Sequence, residues 1–232
     1  MSGIKFEEIK EILANSIKNN RKPKDHFIKT YLHLEVRNED DETIAKRKYL
    51  SRSWVQPFAY VLYGLMNGSK PTVYGIPYKG NLNTGPVCAM SISSSTVYIG
   101  NLFNVLAPDG NGKYGIVAGT GTIPVSATGM LMQQWIDEGN IHYYGTTLSQ
   151  LTPITGGYEF AVVRQISNKT QNPIQLTEFG LVAKPVLGYS GSCGGDPNAD
   201  LYWMLLHDVR TSAPSIPSNS VLIVKYIFNF LV

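Results

Sequence analysis

Charge is crowded into one end of this chain. Residues 1–52 hold 12 of the 20 Lys and Arg and 9 of the 17 Asp and Glu, which leaves 16 charges for the other 180 residues. Those residues are filled instead with Gly, Ser, Thr, Asn, Tyr and β-branched side chains. Such a segment favours sheets. Its surface also loses little when a neighbour strips it of water, because few charges must be desolvated. An active site needs converging titratable groups, and few are on offer. The expectation is an assembly component that is not an enzyme, with no catalytic residues, no metal and no cofactor.

A chain of 232 residues has room for one β domain and an appendage. The expected division is an N-terminal helical arm and linker over 1–26 and a β-rich body over 27–232. A hydrophobic fraction of 43 % with 14 Tyr argues against disorder. The net charge of +3 lacks the dense basic stripe of a phosphate reader. The N-terminus, Met-Ser-Gly-Ile-Lys-Phe-Glu-Glu-Ile-Lys, is amphipathic and acidic, so it does not read as a secretory signal. No apolar run is long enough for a membrane span, and the best candidate, 221–232, is broken by Lys225 and Asn229. The chain reads as soluble and made in the cytoplasm.

Residues 4–18 carry helical spacing: Ile4, Phe6, Ile9, Ile12, Leu13 and Ile17 share one side, with Lys5, Glu7, Glu8, Lys10 and Glu11 mostly opposite. A helix this short is marginal alone, so Ile9, Ile12, Leu13 and Ile17 are expected to dock on the body or on a neighbouring copy. Pro23 ends the pattern in a solvated linker. Period two follows. Leu32, Leu34 and Val36 point one way and His33, Glu35 and Arg37 the other, the mark of a half-buried strand. An acidic turn, Asn38 to Glu42, leads to a second strand over 43–49, and the two form a hairpin. Ser53 caps a second helix near 53–67, built on Val55, Phe58, Val61, Leu62 and Leu65, and Gly68 stops it.

From residue 70 the turn signals recur at intervals suited to antiparallel strands. Strands are expected over 72–78, 87–93, 96–103, 114–118, 141–148, 158–167, 174–184, 201–210 and 220–232. The last is apolar on nearly both faces, which suits the centre of a sheet. Asp109-Gly110-Asn111-Gly112 reads as a hairpin turn, and 133–138 as one helical turn. About ten strands without βαβ alternation give the fold class: mainly β, an antiparallel β-sandwich or jelly roll with the two helices added.

Motifs with chemical meaning are weak. Gly119-Thr120-Gly121-Thr122 lacks the Gly-Lys-Ser/Thr and the following helix that a phosphate loop requires, so it reads as a turn. His26, His33, His142 and His207 have no ligand spacing. His207 precedes Asp208, but neighbouring strand residues face opposite ways. Ser190, Ser192 and Cys193 lie in a Gly-rich stretch that is not a strand–elbow–helix. The 196–200 segment offers too few oxygens for calcium. Asn67-Gly68-Ser69 and Asn168-Lys169-Thr170 match the glycosylation pattern. Cys88 and Cys193 are far apart in sequence, and a disulfide between them stays open. Lys46, Arg47, Lys48 and Arg52, with Arg21, Lys22 and Lys24, are a candidate phosphate contact. The acidic run from Glu39 to Glu42 offsets their field, so nucleic acid is disfavoured but not excluded.

Four segments together resemble structural proteins of viruses of prokaryotes, both tailed phages and viruses of hyperthermophilic archaea. The first runs through Ser51-Arg52-Ser53-Trp54-Val55-Gln56-Pro57-Phe58. The second is Gly115-Ile116-Val117-Ala118-Gly119-Thr120-Gly121-Thr122-Ile123-Pro124-Val125. The third is Val163-Arg164-Gln165-Ile166-Ser167-Asn168 with Leu176-Thr177-Glu178-Phe179-Gly180-Leu181. The last is Leu205-Leu206-His207-Asp208-Val209-Arg210, followed by Pro217 and the strand over 221–226. The resemblance covers about a third of the chain in matching order and implies a virion role with no catalytic residue to transfer.

The function expected is a virion structural protein that self-assembles into a capsid, tail or adaptor multimer. Its partners are copies of itself and other virion proteins, and it is synthesised in the host cytoplasm. The alternative is a receptor-binding fibre or spike module, with polar loops such as 188–200 recognising host glycans. An enzyme reading would need paired carboxylates, and Asp109, Asp137, Glu138, Glu159, Glu178, Asp196, Asp200 and Asp208 show no local pairing.

Overall fold

The computed structural model describes residues 28–51, 104–125, 132–184 and 201–231, with strands Thr72–Pro77, Cys88–Ile92 and Tyr189–Ser190. In chain order the strands are β1 (Ile28–Arg37), β2 (Thr43–Ser51), β3 (Thr72–Pro77), β4 (Cys88–Ile92), β5 (Gly115–Gly119), β6 (Ile141–Tyr143), β7 (Thr147–Leu148) and β8 (Thr152–Ile154). They continue as β9 (Gly157–Asn168), β10 (Ile174–Gln175), β11 (Glu178–Ala183), β12 (Tyr189–Ser190), β13 (Leu201–Val209), β14 (Ser215–Ile216) and β15 (Val221–Leu231). The protein is mainly β, its sheets are antiparallel, and no helix occurs among the described residues. Both expected helices, with Ile9, Ile12, Leu13 and Ile17, lie outside the described residues. So do the expected strand over 96–103 and Cys193.

A seven-stranded sheet runs β2-β1-β15-β9-β6, with β7 and β8 also laid along β9. Its hairpin, β1–β2, turns on Asn38, whose side-chain oxygen accepts the N–H groups of Asp40 and Glu42 at 3.1 and 2.8 Å. The apolar last strand is central, as its two-sided hydrophobicity predicts: β15 lies between β1 and β9. A six-stranded sheet runs β12-β4-β3-β13-β11-β5, and β10 and β14 form a separate pair.

Register decides which residues meet. Across β1, β15 and β9 the rows Leu32–Tyr226–Val162, Leu34–Val224–Arg164 and Val36–Leu222–Ile166 share one face. These apolar residues join Ile116 and Ala118 of β5, Phe179 and Leu181 of β11, and Trp203 and Leu205 of β13 in one buried cluster. Side chains from both sheets therefore share a single core. A smaller cluster of Val117, Met132, Val182, Tyr202 and Met204 covers the other side of the six-stranded sheet.

Four expectations are corrected. Residues 133–138 form no helical turn; Trp135 bridges Gly119 and the Ile136 N–H goes to Ala118 O at 3.0 Å. The strand expected over 141–148 breaks into β6 and β7, because the Thr146 N–H turns away from β9 to Ala107 O at 2.8 Å. Asp109 to Gly112 does turn, with Gly110 at φ 73°, but β5 after it pairs with β11 and not with the segment before. The segment over 174–184 likewise divides into β10, which pairs with β14, and β11.

Arg164 occupies an inward position in the row Leu34–Val224–Arg164 and is almost wholly buried. Its guanidinium donates to Tyr144 O at 2.7 Å, Tyr114 O at 2.9 Å, Ile116 O at 2.8 Å and Asn111 O, and lies over the Tyr143 ring at 4.6 Å. Burial pulls its pKa down to about 10, yet it remains a cation at neutral pH. One side chain of β9 thus fastens the start of β5 in the other sheet. Arg164→Met keeps the apolar stem but leaves four carbonyls, those of Tyr114 and Ile116 buried, without their donor. It is expected to cost about 3 kcal/mol in urea denaturation with an unchanged m-value. A loss below about 1 kcal/mol would show that the carbonyls find other donors.

Candidate functional site

The densest meeting of ionisable groups is built by β11, β13 and the segment after residue 131. Glu178 opens β11 with its carboxylate fully buried. Its Oε1 accepts the Gln133 N–H at 2.7 Å and faces His207 Nε2 at 2.7 Å, and its Oε2 accepts the Gln134 N–H at 3.0 Å. Burial pushes this carboxyl up, but His207 and the Gln134 and Gln133 amides together outweigh it and hold the pKa below the ordinary value. Glu178 is therefore an anion held by three donors.

The glycines of Gly119-Thr120-Gly121 now have a physical reason. A Cβ added at Gly121 would lie 2.5 Å from Glu178 Oε2, and one at Gly119 would lie 2.8 Å from the same atom and against the Gln134 carbonyl. The loop makes room for a carboxylate belonging to its own chain. Gln133 closes it, accepting the Ile123 N–H at 2.8 Å and donating to Ile123 O at 2.7 Å. Thr177 adds a hydroxyl bond to Gly121 O at 2.9 Å.

His207 and Asp208 go separate ways, as adjacent strand residues must. Asp208 is fully buried on the core side, where it accepts Ser51 Oγ at 2.6 Å and Arg210 Nη2 at 2.7 Å. Arg210 also donates to Leu50 O at 2.8 Å, so this group ties the end of β2 to β13. Tyr226, reaching from β15, donates to Phe179 O of β11 at 3.2 Å. Burial and then the Asp208 carboxylate keep its phenol protonated far above the usual range.

Other sequence candidates fall elsewhere. Asn168 is fully buried; its amide donates to Asn172 O, Ile216 O and Pro217 O, and its oxygen accepts the Thr170 N–H and hydroxyl. That side chain is a corner brace, closed to a glycosylating enzyme. His142 stands half-buried between Asp109 Oδ1 and Glu138 Oε2, each at 3.3 Å. Among the described residues no group of His, Cys, Asp and Glu is arranged to hold a metal ion. His33 shares a cross-strand row with Lys48 and Lys225; burial and then Lys46 and Lys225 push its pKa down. Glu159 and Glu178 belong to different sheets. His26, Ser192, 196–200, Asn67 and Arg52 lie outside the described residues.

The buried anion cannot reach a solute, because Glu178 and His207 expose 0 % and 2 % of their side chains. What this arrangement does chemically is clamp. The pairing of Glu178 with His207 spans 29 positions and left no local trace. A partial signal existed for Arg164: it holds the inward parity between Val162 and Ile166. No helix among the described residues is long and apolar enough to cross a membrane. No family model, curated protein or solved structure matches this chain.

Glu178→Gln replaces an anion by an amide whose NH2 cannot accept the second backbone N–H. At neutral pH it is expected to cost about 2–3 kcal/mol. The folded-state pKa lies below the unfolded 4.5, so the wild-type contribution is complete above 4.5 and disappears as pH falls through the folded value. The gap between variant and wild type should therefore narrow in acid. Denaturation curves collected across that range would count against the clamp if the gap stayed constant.

Proposed function

We propose that this protein is a structural subunit of a prokaryotic virus particle, an antiparallel β-sandwich of the jelly-roll kind that assembles with copies of itself into a capsid, tail or adaptor multimer. In this reading the N-terminal helix, through Ile9, Ile12, Leu13 and Ile17, clips onto a neighbouring copy or the body.

The observation that carries the proposal is where the chain leaves its apolar groups. Along the β7–β8 margin of the seven-stranded sheet, Leu148, Leu151 and Tyr158 are 53 %, 62 % and 48 % exposed. Glu178, Asp208 and Arg164 are meanwhile spent inside. An edge with exposed apolar residues is a liability in a monomer. In an assembly it is an interface, worth about 25 cal/mol per Å² of apolar area before association entropy is subtracted. The four segments that resemble virion proteins support the same reading. Their described parts supply Gly119, Gly121, Arg164, Asn168, Glu178, His207 and Asp208, which are determinants of the fold and not of a reaction. The glycan-binding alternative rests on 188–200, of which only the strand Tyr189–Ser190 lies among the described residues.

Sedimentation of the purified chain is expected to give a concentration-dependent multimer, with rings, shells or filaments in electron micrographs. Leu148→Ser combined with Leu151→Ser should weaken association at least about tenfold while moving the melting temperature by no more than a few degrees. A wild-type chain that stays monomeric at high concentration refutes the proposal.

A further inference from the structure

The outer face of the seven-stranded sheet gathers cations that lie far apart in the chain. Leu32, Leu34 and Val36 point into the core, so His33 and Glu35 stand on the opposite face. Register places Lys48 of β2 and Lys225 of β15 on either side of His33, and Lys46 beside Glu35. The two rows continue into uncharged side chains, Val163 in one and Ile223 and Gln165 in the other. Arg47, which the sequence groups with Lys46 and Lys48, has the other parity. It stands opposite Leu34, and its Nη1 donates to Lys46 O at 2.9 Å.

The acidic run that offsets these lysines in sequence does not do so in space. β2 begins at Thr43, and Asn38 to Glu42 forms the turn. A rise of about 3.4 Å per residue puts Glu42 about 20 Å from Lys48 along the strand. That is twice the Debye length of about 10 Å at moderate salt. Asp41 is answered by Arg37 Nη1 at 2.9 Å, and Glu35 by Arg37 Nε and the Thr43 hydroxyl at 2.8 and 2.9 Å. Lys46 comes within 3.9 Å of Glu35, but Lys48 and Lys225 form no ion pair among the described residues. Lys48 lies over the Tyr31 ring at 4.3 Å, a contact that positions its ammonium without cancelling the charge.

His33 marks the centre of this patch. It is only 7 % exposed, and its Nε2 is buried with no hydrogen-bond partner. Buried polar atoms ordinarily have one. Burial and then the charges of Lys46 and Lys225 hold its pKa below the ordinary value, against Glu35 and with a further push from Lys48. A neutral imidazole thus sits among ammonium groups, with a nitrogen unused.

We propose that this face binds the phosphodiester backbone of nucleic acid, with Lys46, Lys48 and Lys225 on phosphate oxygens and His33 bonded to the phosphate between Lys48 and Lys225. Lysine stems are flexible, so the two can part and admit an oxygen to the ring. The lysines rise from positions about 7 Å apart along β2 and about 10 Å apart across the sheet. That spread suits several phosphates of one polymer better than a single phosphate group. A lipid surface would need exposed apolar side chains at the same place, and Ile223 is buried. Contacts of this kind carry no sequence preference.

Fluorescence anisotropy of the full chain with a labelled oligothymidylate over a salt series tests the site. The three lysines contribute about −2 to the slope of log K against log[salt] on a single strand. Lys48→Gln combined with Lys225→Gln should make the slope shallower by about 1.4, whereas Arg47→Gln should leave it unchanged. His33→Phe keeps every lysine and should weaken binding about tenfold at fixed salt. Circular dichroism melts confirm that each variant folds. Absence of binding overturns the proposal, as does a double variant with the wild-type slope, an equal effect of Arg47→Gln, or full affinity in His33→Phe. Inorganic phosphate and phosphatidylglycerol vesicles are the comparison arms. Competition by inorganic phosphate at an equal concentration of phosphate groups overturns it in favour of a small-anion site. Binding to the vesicles with none to the oligonucleotide overturns it in favour of a lipid surface. One copy suffices for this contact, so a chain that proves monomeric refutes the multimer above and leaves this site standing.

Discussion

A fully buried carboxylate is stable only where the protein supplies donors in advance, and Glu178 shows what that demands of a chain. Three donors must converge from two other segments: His207 from β13 and the amides of Gln133 and Gln134. Two glycines must stand where any side chain would collide with the carboxylate. In return one anion aligns β11, β13, the end of β5 and the 132–136 segment. Arg164 and Asp208 repeat the device across the core, each with partners drawn from both sheets. Apolar contact gives the sheets their attraction, but it is non-directional. The buried polar groups set how the sheets are aligned, since a slip would strand a charge in the core.

Strands were legible because burial imposes period two on one face. β1, β9, β13 and β15 were each placed within a few residues, and the central position of β15 followed from its lack of a polar face. Mistakes arose where backbone groups serve a distant partner. The residues over 133–138 look able to turn helically, yet the amides of Gln133 and Gln134 go to Glu178, which a helix would not allow. The break between β6 and β7 depends on Ala107, and the division of β10 from β11 on β14, neither of which is near in sequence. Of the polar clamp, only the inward parity of Arg164 was visible. Matching Glu178 to His207 needed the β11–β13 register, and a one-residue slip would have turned the two apart.

The same geometry sharpens the meaning of the uneven charge distribution. Of the six acids after residue 52 that fall among the described residues, Glu178 and Asp208 are buried. The described surface after residue 52 is thus poorer still in charge than its composition implies. A charge-poor surface associates readily but discriminates weakly, since burial of area carries little orientation.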